Sequence, residues 1–191
     1  MSAHEKRGLE MSLATHTAPA LMGIKCANLI SVPINEKELG PYLKKLAKTS
    51  HLRMRILCRC GSKALVYVYH EVMLKMQLSR PEIKHFLKRY GYRDDMILDE
   101  MLILLSERVK CGSFPHEIGI FLGYPLEDVE GFIENKGRNF LMCGCWKVYS
   151  NVENARKTFE AYGRCRDILC DKLKQGFDLF EALKISKEEL I

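Results

Sequence analysis

Between residues 114 and 149 the chain gathers side chains able to move protons and to hold an anion. His116 and Glu117 follow Pro115 in a first helical turn, Asp128 falls in the first turn of a second helix, and Lys147 comes shortly afterwards on a strand. General acid–base work needs such groups within hydrogen-bond reach of one another and of a substrate. A histidine, two carboxylates and a lysine that converge would suit a small enzyme acting on an anionic small molecule. The same residues also have a structural reading. A carboxylate at a helix start answers free amides and the macrodipole, a histidine there caps or packs, and a strand lysine pairs or faces solvent.

Aromatic residues are interleaved with these groups. Phe121, Tyr124, Trp146 and Tyr149 can floor a ligand pocket or simply build core. With Lys25 nearer the N-terminus, Tyr124, Trp146 and Tyr149 are the candidate ligand-binding residues. The sequence holds eight cysteines. Because strand side chains alternate, Cys58-Arg59-Cys60 and Cys143-Gly144-Cys145 each put two thiols on one face of a strand. Four thiolates on neighbouring strands would hold zinc or an iron–sulfur cluster, so Cys58, Cys60, Cys143 and Cys145 are the candidate metal ligands. Against this, Cys58 and Cys60 continue the apolar face of Met54 and Ile56, which makes them core residues, and the familiar C-x-x-C spacing is missing. No metal is therefore assigned, and Cys26, Cys111, Cys165 and Cys170 read as isolated thiols.

No phosphate-binding glycine loop, nucleophile elbow or H-E-x-x-H occurs, and the His116-Glu117 pair lacks a second histidine four residues after the first. The cofactor and the reaction, if any, stay open. Residues 115–134 have the grammar of a helix-turn-helix, with Ile118 and Gly119 on a first helix, Leu122 and Gly123 at its end and Pro125 opening the second. A DNA reader presents Arg, Lys, Asn or Gln from that second helix. This one presents Glu127, Asp128, Glu130 and Glu134, which a phosphate backbone repels, so specific DNA binding is not expected.

The elements that must position these residues follow from periodicity and punctuation. Residues 4–16 are helical, Pro19 and Gly23 break the chain, and Asn28 to Val32 form a strand ended by Pro33. Asn35 and Glu38 make a capping-box-like pair before a helix carrying Leu39, Leu43 and Leu46 on one side. Arg53–Cys60 and Ala64–His70 pair as a hairpin around Gly61. Pro81 opens a helix that Gly91 ends, and a longer helix runs from about Asp94 to Lys110 with acids at its start and bases at its end. Residues 139–149 read as a strand, 152–175 as an amphipathic helix, and 177–184 as a short last helix. Strands and helices do not alternate as βαβ units, so the fold class is α+β. It is a helix-dominated single domain over 1–191, with a small, mainly antiparallel sheet, hairpin 53–70 and strand 139–149, and the helix-turn-helix-like pair at 115–134.

Composition sets outer bounds. Hydrophobic residues make up 47% and charged residues 28%, as in ordinary globular proteins. Apolar runs such as Met101–Leu105 fall far short of the roughly 18 residues that cross a membrane. The charged opening His4-Glu5-Lys6-Arg7 does not resemble a secretory signal, so a cytoplasmic location and reduced thiols are expected. Residues 36–93 carry 14 Lys and Arg against 4 Asp and Glu, whereas residues 94–191 carry 13 against 18. The basic part would draw polyanions weakly and with strong salt dependence.

The stretch Phe114–Ile133 (FPHEIGIFLGYPLEDVEGFI) with Trp146–Tyr149 (WKVY) resembles the central signature of the bacterial family called domain of unknown function 3793. Ala18–Lys25 (APALMGIK) and Leu65–Tyr69 (LVYVY) agree, so the resemblance covers nearly the whole chain. It implies no activity, because none is assigned to that family. The expectation is a cytoplasmic binding or regulatory module with its functional surface at 114–149, partnered by an unidentified protein or a small anionic ligand. Its alternatives are the acid–base enzyme and the thiolate metal protein.

Overall fold

The computed structural model describes residues 2–33, 36–50, 52–110 and 114–188. Their backbone gathers into two compact units, residues 1–71 with 161–191, and residues 72–160.

The first unit is a three-stranded antiparallel sheet backed by helices. Helix α1 (Ala3–Leu21) starts with a capping box: Ser2 Oγ accepts from the Glu5 amide at 3.2 Å and the Glu5 carboxylate accepts from the Ser2 amide at 2.7 Å. It then continues through Pro19, where the sequence suggests a break. In the last turn a proline removes a single ladder bond, and the chain turns only at Gly23, whose φ is 81°. Strands β1 (Ala27–Pro33), β2 (Arg53–Cys60) and β3 (Lys63–Tyr69) take the order β1-β3-β2, with helix α2 (Glu36–Ser50) between β1 and β2 in sequence. The proposed cap at Asn35 lies outside the described residues. Ile30, Val32, Ala64, Val66 and Val68 of the sheet join Leu39, Leu43 and Leu46 of α2 in one buried cluster, together with residues of α1, of α8 (Val152–Lys174) and of α9 (Leu179–Glu188).

A bulge between Ile56 and Cys58 corrects one reading of β2. The extra residue shifts the alternation, so Leu57 turns inward at 1% exposure and Ile56 is 39% exposed. Cys58 is accordingly half-buried and Cys60 exposed, not core. Elsewhere in the unit Cys26 is buried, which pushes its thiol up to about 11 and leaves little thiolate at neutral pH.

Helix α9 begins at a second reciprocal cap. Asp178 Oδ1 accepts from the Phe180 and Glu181 amides, each at 3.0 Å, while Glu181 accepts from the Asp178 amide at 2.9 Å. Although burial pushes the Asp178 carboxyl up, the Glu181 amide, Lys6 and the Phe180 amide outweigh it and hold the group below its ordinary value. A carboxyl with a depressed folded-state pKa stabilises above its unfolded pKa and loses that contribution as pH falls through the folded one. Asp178→Ala is expected to cost about 1 kcal/mol at pH 7, and the gap to wild type should narrow progressively as urea denaturation is repeated at acidic pH.

The second unit is helical with one small hairpin. It contains α3 (Glu71–Ser79), α4 (Pro81–Lys88), α5 (Leu98–Lys110), α6 (Ile118–Phe121) and α7 (Leu126–Glu134), then β4 (Met142–Cys143), β5 (Lys147–Val148) and the start of α8. The sequence reading had no place for α3. Its buried Leu74 and Leu78 are spaced as on a helix, but Val72 and Met76 are exposed and blur the stripe. Helix α5 starts at Leu98 rather than Asp94. Asp94 and Asp95 pair instead with Lys88 at 2.6 Å and Arg93 at 3.0 Å, and Glu100 accepts the Ile97 amide at 2.9 Å. Ile83, Phe86, Leu87, Leu102, Leu105 and Phe121 are fully buried here.

Helices dominate a small antiparallel sheet, and the class is α+β. No helix among the described residues is long and apolar enough to cross a membrane.

Candidate functional site

Residues 114–149 fold into a short cradle. Helix α6 is a single turn ending at Leu122, Gly123 reverses the chain at a φ of 76°, and Pro125 caps α7. The stretch 139–149 is finer than one strand: Met142 pairs with Val148 and Cys143 with Lys147, with Gly144, Cys145 and Trp146 forming the bend. The bend fits because Gly144 has no side chain. A Cβ there would lie 2.3 Å from Phe159 Cε2 on α8.

Trp146 is clamped on several sides. Its ring stacks on Tyr124 at 4.9 Å between centroids and meets Phe159 edge-on at 4.5 Å, while its indole N–H donates to Asp128 Oδ2 at 2.6 Å. Asp128 is 3% exposed on α7 and ties the hairpin down. Its Oδ1 accepts from the Tyr149 amide at 2.7 Å, the Ser150 amide at 3.0 Å and the Ser150 hydroxyl at 3.1 Å. Tyr149 packs closely on Gly131, where a Cβ would come within 2.5 Å of its ring. Burial, with the Asp128 charge second, raises its phenol above the ordinary range.

Glu117, 1% exposed, is engaged elsewhere. Arg108 Nε of α5 donates to its Oε1, and this bond raises the Arg108 pKa further. Nearby Tyr92 is buried, and that burial, reinforced by the Glu117 charge, keeps its phenol protonated. Of the four acid–base candidates, His116, Asp128 and Lys147 line one hollow of about 370 Å³ between α6, α7 and the hairpin, and Glu117 is not on its wall. The wall is otherwise apolar and aromatic, with Ile118, Leu122, Tyr124, Val129, Phe132 and Trp146 prominent.

Two polar side chains sit on that wall without being consumed by the hairpin. The His116 ring meets Phe132 edge-on at 5.0 Å. Lys147 donates to the Gly137 carbonyl at 2.6 Å, and its ammonium lies 4.9 Å from the Phe140 ring centroid and 5.7 Å from that of Phe132. His116→Ala and Lys147→Ala are each expected to change stability by less than about 1 kcal/mol in chemical denaturation, since neither anchors the core.

Among the remaining candidates, Tyr124 and Trp146 line the hollow, whereas Tyr149 packs on Gly131 of α7 and is not on its wall. Lys25 is buried in the first unit, its ammonium 5.5 Å from the Tyr162 ring centroid. Cys58 and Cys60 belong to one sheet, Cys143 to the other and Cys145 to the bend that joins its two strands, both of the latter exposed. Among the described residues no three His, Cys, Asp or Glu side chains gather as a metal site would require. Sequence reading missed Phe132 on the wall, and Arg108, because a partner for Glu117 on a different helix has no local signal.

A helix-dominated α+β fold that pins a tryptophan-bearing hairpin onto a pair of short helices through a buried aspartate defines the kind of protein this is. The chain belongs to the family described as protein of unknown function DUF3793, whose model matches residues 13–183. No curated protein and no solved structure matches it.

Proposed function

We propose that this protein is a binding module whose site is the hollow walled by Tyr124, Phe132 and Trp146, and that its ligand is a small, largely apolar molecule. One observation carries the reading: an aromatic cavity of ligand-binding size whose wall carboxylate, Asp128, already accepts hydrogen bonds on both oxygens. Asp128 accepts four hydrogen bonds and Glu117 is buried against Arg108, which favours binding over proton transfer. The family match runs through both compact units, which supports treating residues 1–191 as one functional domain. Exposed thiols at Cys60, Cys143 and Cys145 suit a reducing compartment, and we place its work in the cytoplasm.

The test uses protein purified gently from native lysate, denatured, and analysed for released small molecules by mass spectrometry. Cys143→Trp, at an exposed position on the wall, should plug the hollow without disturbing the core. A compound released by wild type and lost in Cys143→Trp is expected. Identical profiles from the two proteins would count against the site.

A further inference from the structure

We infer that the ligand of this hollow carries a single carboxylate, set against Lys147, on an aromatic or short acyl body. The inference rests on the binding reading above and adds the ligand's charge. Among the described residues Lys147 is the one permanent cation on the wall. Its ammonium is held in place by the Gly137 carbonyl at 2.6 Å and flanked by the Phe140 and Phe132 rings. An ammonium has three donors, so one carbonyl leaves two for an incoming acceptor. Rings at 4.9 and 5.7 Å displace part of its water and lower the local dielectric, which strengthens attraction to an anion. Gly137 is fixed for this role by a φ of 70°, and a Cβ there would fall 3.4 Å from Lys147 Nζ and 3.1 Å from the Phe132 ring.

The other charged group on the wall does not cancel this preference. Asp128 faces four donors, its charge spread over the Trp146 indole, two amides and the Ser150 hydroxyl. A cationic ligand would find most of that acceptor capacity taken and would meet Lys147 directly. A dianion such as a phosphate ester would find one lysine and an apolar wall, too little to replace its hydration. A monocarboxylate matches both the charge and the apolar walls.

Three probes of one shape test this: 4-phenylbutyrate, 4-phenylbutyramide and 4-phenylbutylamine. Emission of Trp146, the single tryptophan, reports occupancy. The acid is expected to bind about tenfold more tightly than the amide, the scale of one charge-assisted hydrogen bond, and the amine more weakly than either. In Lys147→Met, which keeps the aliphatic stem, acid and amide should bind equally. Equal affinity of acid and amide for wild type overturns the carboxylate inference while leaving the hollow a binding site. Failure of all three to alter Trp146 emission at millimolar concentration overturns the inference and the binding reading together.

Discussion

Asp128→Ala should destabilise the protein by about 3 kcal/mol, because it strips partners from donors that the fold has withdrawn from water. The Trp146 indole and the Tyr149 amide both lose an acceptor, and the hairpin loses the side-chain hydrogen bonds that tie it to α7. Ser150 is exposed, so its amide and hydroxyl recover water and add little. Asp128→Asn should cost less, about 2 kcal/mol, since its carbonyl can replace Oδ1 while its NH2 faces the indole donor. Urea denaturation followed by Trp146 emission gives both numbers. A cost under 1 kcal/mol for alanine would mean that the aspartate does not hold the hairpin.

The second large effect is steric. Gly119→Leu is expected to cost about 3 kcal/mol, at the upper end for overpacking, because a Cβ alone would lie 2.7 Å from Val129 Cγ2 and 3.2 Å from Tyr124 Cδ2. Neither neighbour has room to withdraw: Val129 is buried, and Tyr124 is stacked on Trp146. Gly8→Ala supplies the opposite sign. It lies within α1 with nothing inside 4 Å of its Cβ position, so the substitution should stabilise by about 0.5–1 kcal/mol through helix propensity. If the two variants shift the denaturation midpoint alike, the close approach of α6 and α7 is not what Gly119 serves.

How much of this was legible in the sequence depends on the range of the forces involved. The hairpin β2–β3, helix α2 with its Leu39, Leu43 and Leu46 stripe, and helix α4 opened by Pro81 are written in local periodicity and turn chemistry, and they stand where expected. Short-range rules misjudged Pro19, because they carry no information on whether a proline falls mid-helix or in a last turn. They also missed the bulge after Ile56, which is set by pairing with β3. The site was half-visible. Residue types placed polar and aromatic groups between 114 and 149, but only three-dimensional packing separates Asp128, spent on the Trp146 and Tyr149 donors, from Lys147, which keeps donors to offer.

The most direct test of the binding hollow is a 1H–15N spectrum titrated with 4-phenylbutyrate. With one tryptophan, a single indole cross-peak reports Trp146 Nε1, the donor to Asp128. We expect that peak and the amides of Gly119, Val129, Gly144 and Lys147 to shift together along one saturable isotherm, with Cys143→Phe, which fills the hollow without adding an indole, abolishing the shifts. Shifts confined to residues away from α6, α7 and the hairpin, with the Trp146 peak unmoved, would contradict the account.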